Sequence, residues 1–178
     1  MSTTSCRLAW PQDATGIAAV QVAAWQQAYA DVFPAEVLAG LNEASLAQVW
    51  QQEIAQPAEA RQRILVALDD DAIVGYVLTA PASDPDCDPA TDGEIDDITV
   101  HVDHEANGHG SRLLQAAIDT LRADHFERAV VWLTSTDDAR RSFLTEAGWA
   151  ADGAHRTLDL HDDGQVLVHQ VRLHTALS

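Results

Sequence analysis

Two glycines one residue apart, Gly108 and Gly110, lie where an apolar strand hands over to an amphipathic helix. Glycine lets the backbone approach a ligand closely. The unpaired N–H groups and dipole of a helix N-terminus attract phosphate oxygens, so this segment could seat a diphosphate. It lacks the Gly-Lys-Ser/Thr of a Walker loop and the third glycine of a dinucleotide-binding fingerprint, and a plain tight turn is the alternative. The strand before it carries three carboxylates, Glu94, Asp96 and Asp97. A carboxylate placed against a reacting group can take its proton; strand-end solvation is the other reading. Alternation puts Glu94 and Asp96 on one face and Asp97 on the other unless a bulge intervenes.

His101, His104 and His109 raise the question of a metal site. Alternation along the strand and the intervening turn scatter them, and no tight Cys/His ligand set accompanies them, so no metal is expected. His109, between the glycines, is read either as a phosphate donor or as an exposed turn residue. Cys6 and Cys87 are the only cysteines. The acids around Cys87 oppose thiolate formation, and neither residue reads as a nucleophile or as half of a framework disulfide.

The elements that must position these groups follow from periodicity. Residues 7–10 read as a short strand ending at Pro11, with Asp13 as N-cap of a helix that carries apolar residues at helical spacing from Ile17 and ends before Pro34. A second helical stretch covers 35–54, broken near Gly40-Leu41-Asn42. Residues 63–68 and 72–78 form a β-hairpin around Asp69-Asp70-Asp71, and 80–93 is an exposed loop rich in proline and aspartate. Strand 94–102 leads into the glycine segment. A helix follows from about Ser111, with its apolar stripe on Leu113, Leu114, Ala117, Ile118 and Leu121. Residues 129–133 are a buried strand; Asp137 and Asp138 cap a helix that Gly148 ends. Strands 157–160 and 166–173 flank a turn at His161-Asp162-Asp163-Gly164.

The chain has 178 residues, 28 acidic against 10 basic, and a formal charge of −18. All ten basic residues are arginine. A nucleic-acid binder needs a dense cationic footprint, so nucleic acid is excluded as an expected partner, while a cationic small molecule is favoured by steering. No segment reads as a targeting signal or a membrane span; a cytoplasmic protein of one domain, residues 1–178, is expected.

From residue 94 to 149 the sequence resembles the GCN5-related N-acetyltransferase (GNAT) superfamily, whose Gln/Arg-x-x-Gly-x-Gly/Ala motif stands here as Glu105-Ala106-Asn107-Gly108-His109-Gly110, followed by Ser111-Arg112. Trp25-Gln26-Gln27-Ala28-Tyr29 with Phe33-Pro34 looks like the first helix and substrate-side turn of many members. Residues 133–138 resemble the end of the fifth strand entering the next helix, and Phe143-Leu144-Thr145-Glu146-Ala147-Gly148-Trp149 resembles the common Phe-Tyr-x-x-x-Gly-Phe. Two positions depart from the pattern: Glu105 replaces a basic or amide residue, and Leu144 replaces a frequent tyrosine acid.

The resemblance implies an α/β (α+β) fold with a mixed, curved sheet of about seven strands, flanked by helices and splayed between strands four and five. It implies acetyl-CoA as co-substrate. The thioester would meet an N–H near Ile98 or Val100, the pantetheine would run along Ile98, Thr99 and Val100, and the diphosphate would sit on the amides of residues 105–111. Arg112, Arg140 and Arg141 are the candidate phosphate cations. Glu94, aligned without a gap from the glycines, matches the base glutamate of the histone-type members, with Asp96 and Asp97 as alternatives. Trp25, Tyr29 and Phe33 would line the pocket of a primary amine. A leaving thiol needs little acid help, so Leu144 does not exclude catalysis. A non-catalytic acyl-CoA-binding or sensing protein is the competing expectation. A homodimer paired through the final strand is also compatible with the resemblance.

Overall fold

The computed structural model describes residues 1–160 and 162–177; His161, first residue of the expected last turn, lies outside them. Seven strands build one sheet: β1 (Thr4–Leu8), β2 (Arg63–Asp69), β3 (Ala72–Pro81), β4 (Asp92–Val100), β5 (Arg128–Thr134), β6 (Ala150–Asp159) and β7 (Leu167–Ala176), in the order β1-β2-β3-β4-β5-β7-β6. Neighbours are antiparallel except β4 and β5. The parallel pair requires a crossover, which α4 (His109–Ala123) supplies. The remaining helices are α1 (Ala14–Ala28), α2 (Ala35–Ala39), α3 (Glu43–Ala55) and α5 (Asp138–Glu146).

Alternation in the central strands divides the core in two. Leu65, Ala67, Val77, Ile95, Ala129, Val131 and Leu133 face α4 and α5, meeting Leu113, Leu114, Ala117, Leu121 and Leu144. Ile64, Val66, Leu68, Tyr76 and Leu78 face the opposite layer and meet Ile17, Ala18, Val20 and Trp50. Burial of these aliphatic side chains at about 25 cal/mol per Å² is the main force holding both helical layers on the sheet.

The hairpin, the broken second helical stretch and the strand-turn-helix after residue 92 stand as the sequence predicts. Three expectations are corrected. The first strand lies at Thr4–Leu8, not 7–10, because Pro11 opens a 3-10 turn with Trp10 at its N-cap. Asp13 does stand at the N-cap position of α1, but its side chain makes no capping hydrogen bond; its carboxylate instead accepts from Arg7 and the Trp10 N–H. The final strand β7 is hydrogen-bonded on both sides, by β5 and β6, so it has no free edge to pair across a dimer.

Candidate acetyl-transfer site

β4 and β5 pair only from Asp92↔Arg128 to Ile95↔Val131. Beyond Ile95 the strands part, and the separation has a local cause: the β3 register jumps from Thr79↔Ile95 to Leu78↔Asp97, leaving Asp96 as an extra, bulged residue. A bulge bends its strand and raises the local twist. It also resets the alternation, which puts Ile95 and Ile98 in the same core cluster. Glu94 and Asp97 therefore share the opposite face, and the simple division with Glu94 and Asp96 together is corrected.

The opened edge of β4 carries unpaired backbone groups. His101 donates its N–H to the Val74 carbonyl of β3, so by alternation Thr99 also turns toward β3 while the N–H groups of Ile98 and Val100 turn toward the gap. At the end of the strand the chain turns through Ala106 and Gly108, both left-handed at φ 66° and 79°, and enters α4. Among the described residues, the N–H groups of His109, Gly110 and Ser111 have no acceptor in the protein, as the first turn of a helix dictates. Glu105, Ala106 and Asn107 are exposed, and Arg112 reaches back to the Asn107 carbonyl at 3.2 Å.

The two glycines have different reasons. Gly108 meets the backbone demand of its positive φ. Gly110 has no such demand, and a Cβ there would only touch Phe143 and Val100 at 3.9 Å; the space it leaves is a cradle that a side chain would fill. Ala106 adopts the left-handed conformation without being glycine, at a cost of about 1–2 kcal/mol. Part of that returns as unfolded-chain entropy on substitution, so Ala106→Gly should raise stability by roughly 0.5–1 kcal/mol in urea unfolding.

Glu94 is buried, one pair before the strands separate, and its Oε2 accepts from the Ser83 N–H and Oγ at 3.3 and 3.4 Å. Burial pushes its carboxyl up, with Asp96 and Asp84 adding and the Ser83 amide and Arg156 opposing. Asp96 is solvent-accessible but hemmed by enough protein that desolvation, then Asp97, raises its carboxyl too. Asp97 is engaged: Oδ2 accepts from the Tyr76 hydroxyl and Oδ1 from Thr99 Oγ1, both at 2.8 Å. Tyr76 is fully buried.

Trp25, Tyr29 and Phe33 form an edge-to-face ladder, with centroids 5.2 and 5.6 Å apart. Trp25 is partly exposed and Phe33 buried. Tyr29 stands near Asp97: its phenol is pushed up by burial, then by that charge, and pulled down by Arg140. Arg140 also pairs with Asp137 at 3.7 Å, and Arg141 donates to the Ser135 carbonyl. Both have protein partners, and Arg112 is the guanidinium at the glycine turn. Leu144 is a core residue, 1% exposed.

Two readings of the histidines are overturned. His109 is neither an exposed turn residue nor a phosphate donor through its ring: it is 1% exposed and points into the protein, leaving only its backbone N–H toward the turn. Nor are the three histidines scattered. The 3-10 turn Val102–His104 folds them together, with ring centroids 5.9 Å apart for His101 and His104 and 6.1 Å for His104 and His109.

Sequence reasoning missed one charged cluster on the Glu94 face. Arg172, 4% exposed, donates to Asp84, Asp86 and Asp152, and Trp132 Nε1 donates to Asp84. This holds the 82–91 loop, including Ser83, against β5–β7. Cys6 and Cys87 are free thiols, and burial raises both.

A sheet opened after a bulged β4, with free amides at the start of the crossover helix, defines a mixed α/β fold with an opening between two parallel strands. Residues 22–149, more than half of the chain, match the Acetyltransferase (GNAT) family, and the chain belongs to it. Solved structures share the fold. The PaiA N-acetyltransferase of Thermoplasma acidophilum, in complex with coenzyme A, has 13% identity and a TM-score of 0.74 over 98% of this chain and 99% of that one. An N-acetyltransferase of Staphylococcus aureus Mu50 has 14% identity and a TM-score of 0.74 over 99% and 100%. YncA of Salmonella typhimurium, solved with acetyl-CoA, has 15% identity and a TM-score of 0.70 over 98% and 94%. No curated protein matches the sequence. The protein is an acetyltransferase.

Proposed function

We propose that this chain works as a single domain that moves an acetyl group from acetyl-CoA to a primary amine, a small cationic amine or a basic peptide, by direct attack. The observation that carries the reading is Glu94: a buried carboxylate held above its usual range, one residue pair before β4 and β5 separate.

The chain's own groups fit acetyl-CoA. The free amides of residues 109–111 and the Arg112 guanidinium suit a diphosphate. The cradle at Gly110 leaves room for it, and the outward N–H groups of Ile98 and Val100 suit an extended, amide-bearing arm and a thioester carbonyl. When bound, acetyl-CoA supplies an activated acyl group with a good leaving thiol. Glu94 then takes the ammonium proton, releasing the amine lone pair. Tyr29 and Trp25 line the acceptor side, and Asp96 with the net charge of −18 draws a cation toward it. Glu105 is exposed, so its side chain can stay in solvent when a diphosphate binds.

Turnover of acetyl-CoA against a polyamine, an aminoglycoside and a basic peptide, read as free thiol, tests the proposal. Amine-dependent thiol release is expected. Saturable acetyl-CoA binding without release on any amine would favour a non-catalytic acyl-CoA sensor, the reading that buried Leu144 supports. The cradle has its own test: Gly110→Val should weaken acetyl-CoA binding at least about tenfold, roughly 1.4 kcal/mol. Because a Cβ there meets Phe143 and Val100 only at ordinary contact distance, the variant should still fold, which its circular dichroism and melting temperature check. Unchanged affinity in the folded variant removes the diphosphate from this turn.

A further inference from the structure

We propose that Asp69, His104 and His109 form a binding site for a divalent transition-metal ion of the zinc class, which would tie the glycine turn to the β2–β3 hairpin. One ligand atom from each of the three lies within 4.8 Å of the others. Asp69 Oδ2 stands 3.6 Å from His104 Nδ1 and 3.9 Å from His109 Nε2. Bonds of about 2.0–2.2 Å to a tetrahedral ion put neighbouring ligand atoms roughly 3.3–3.6 Å apart, so the two Asp69 contacts need shifts of at most a few tenths of an ångström, while the two imidazole ligand atoms lie within 4.8 Å of each other and would draw together on binding.

The independent observation is an unmet demand. His109 is buried, and neither ring nitrogen has a hydrogen-bond partner; Asp69 Oδ1 is also buried and unpartnered. A desolvated polar group without a partner is unfavourable and rare in native proteins. A cation between His109 Nε2 and the Asp69 carboxylate gives that buried nitrogen a partner and offsets the carboxylate charge.

Two imidazoles and one carboxylate select zinc, cobalt or nickel over magnesium or calcium. The side chains of His104 and Asp69 are 34% and 21% exposed, so water can fill a fourth position. His101 packs edge-on against His104, while its Nδ1 accepts the Asp103 N–H. The other His/Cys/Asp/Glu group, Asp84, Asp86 and Cys87, differs in kind, because the Arg172 guanidinium already occupies it.

The site is separate from Glu94 and does not depend on acetyl transfer. Its consequence is mechanical. The ion would join the end of β2 to the 3-10 turn and the first residue of α4, fixing the loop whose amides open toward the ligand.

Cobalt(II) titration of the full chain, stripped with a chelator beforehand, tests the proposal through the visible d–d absorption that a low-coordinate nitrogen and oxygen site gives. One equivalent should bind saturably, be displaced by zinc, and raise the melting temperature. His104→Ala and Asp69→Asn change partly exposed side chains and should each weaken cobalt at least about tenfold, with native circular dichroism. His169→Ala, on the exposed face of β7, should leave binding unchanged. Absence of saturable binding in the wild type overturns the site. So does retention of affinity in either His104→Ala or Asp69→Asn, which would place cobalt on the acidic surface instead.

Discussion

Glu94→Gln should lower kcat by roughly 10²- to 10⁴-fold, the range for losing a general base, while acetyl-CoA affinity stays within a factor of about three. Glutamine keeps the shape and can still meet Ser83, whose N–H and Oγ hold the native carboxylate, but it cannot take a proton near neutral pH. The split between kcat and binding separates a chemical role from a packing role. The pH profile sharpens the test. The active form is the carboxylate, and burial together with Asp96 raises its pKa. The acidic limb of kcat/KM should therefore fall at a pH above the ordinary carboxylate range, and it should disappear in Glu94→Gln. Raising the pH should partly restore the variant, because more amine arrives already deprotonated.

Asp96→Asn and Asp97→Asn are the controls, and the bulge gives them different expected outcomes. Asp97 is bound to Tyr76 and Thr99, so its loss should act through the position of Tyr76 and the acceptor side. Asp96 is open to solvent, and its loss should lower amine capture with a small effect on kcat. Full activity in Glu94→Gln with loss in one of these assigns the proton acceptor to that neighbour. Full activity in all three leaves deprotonation of the amine to solvent.

Much of this site is local in sequence, which is why it was legible there. Strand, glycine turn and helix are consecutive, and the distance from Glu94 to Gly108 is fixed along one chain segment. The features that were not legible depend on pairing across distance. The bulge at Asp96 exists only because β3 holds β4 in two registers. The histidines come together because a 3-10 turn folds His101 and His104 back toward α4, where the hairpin end brings in Asp69. The first strand starts three residues and ends two residues before the expected positions because alternation over so short a run cannot locate its ends, and its partner β2 lies far along the chain.

Arg172→Met should destabilise the fold by about 3–5 kcal/mol at neutral pH, the range for removing one partner of a buried ionic cluster. In a chain of this length that corresponds to a melting temperature lower by roughly 10 °C. The guanidinium is almost fully buried, and two of its three carboxylates, Asp84 and Asp152, have side chains only 12% and 11% exposed. Methionine fills similar volume but leaves those charges unpaired in a chain that already carries −18. Adding Asp84→Asn and Asp152→Asn to Arg172→Met should therefore recover stability, which a purely steric role would not allow.

The pH dependence has a definite sign. Arg172 holds Asp86 down to about 2, and desolvation of Asp152 is outweighed by the Ala154 N–H and then by Arg172, which together lower its carboxyl. Carboxyls depressed in the folded state stabilise it above their unfolded pKa near 4, and that contribution is lost as pH falls through the folded values. Acid also relieves the self-repulsion of the surface, in the wild type and the variant alike, so the difference between the two is the quantity to follow. It should be full above about pH 5 and shrink toward pH 2; a constant difference would mean that the cluster acts by packing alone. Arg172 also anchors the loop that carries Ser83 against Glu94. Arg172→Met assayed well below its melting temperature should accordingly shift the acidic limb of kcat/KM, which links the stability of the clamp to the base it positions.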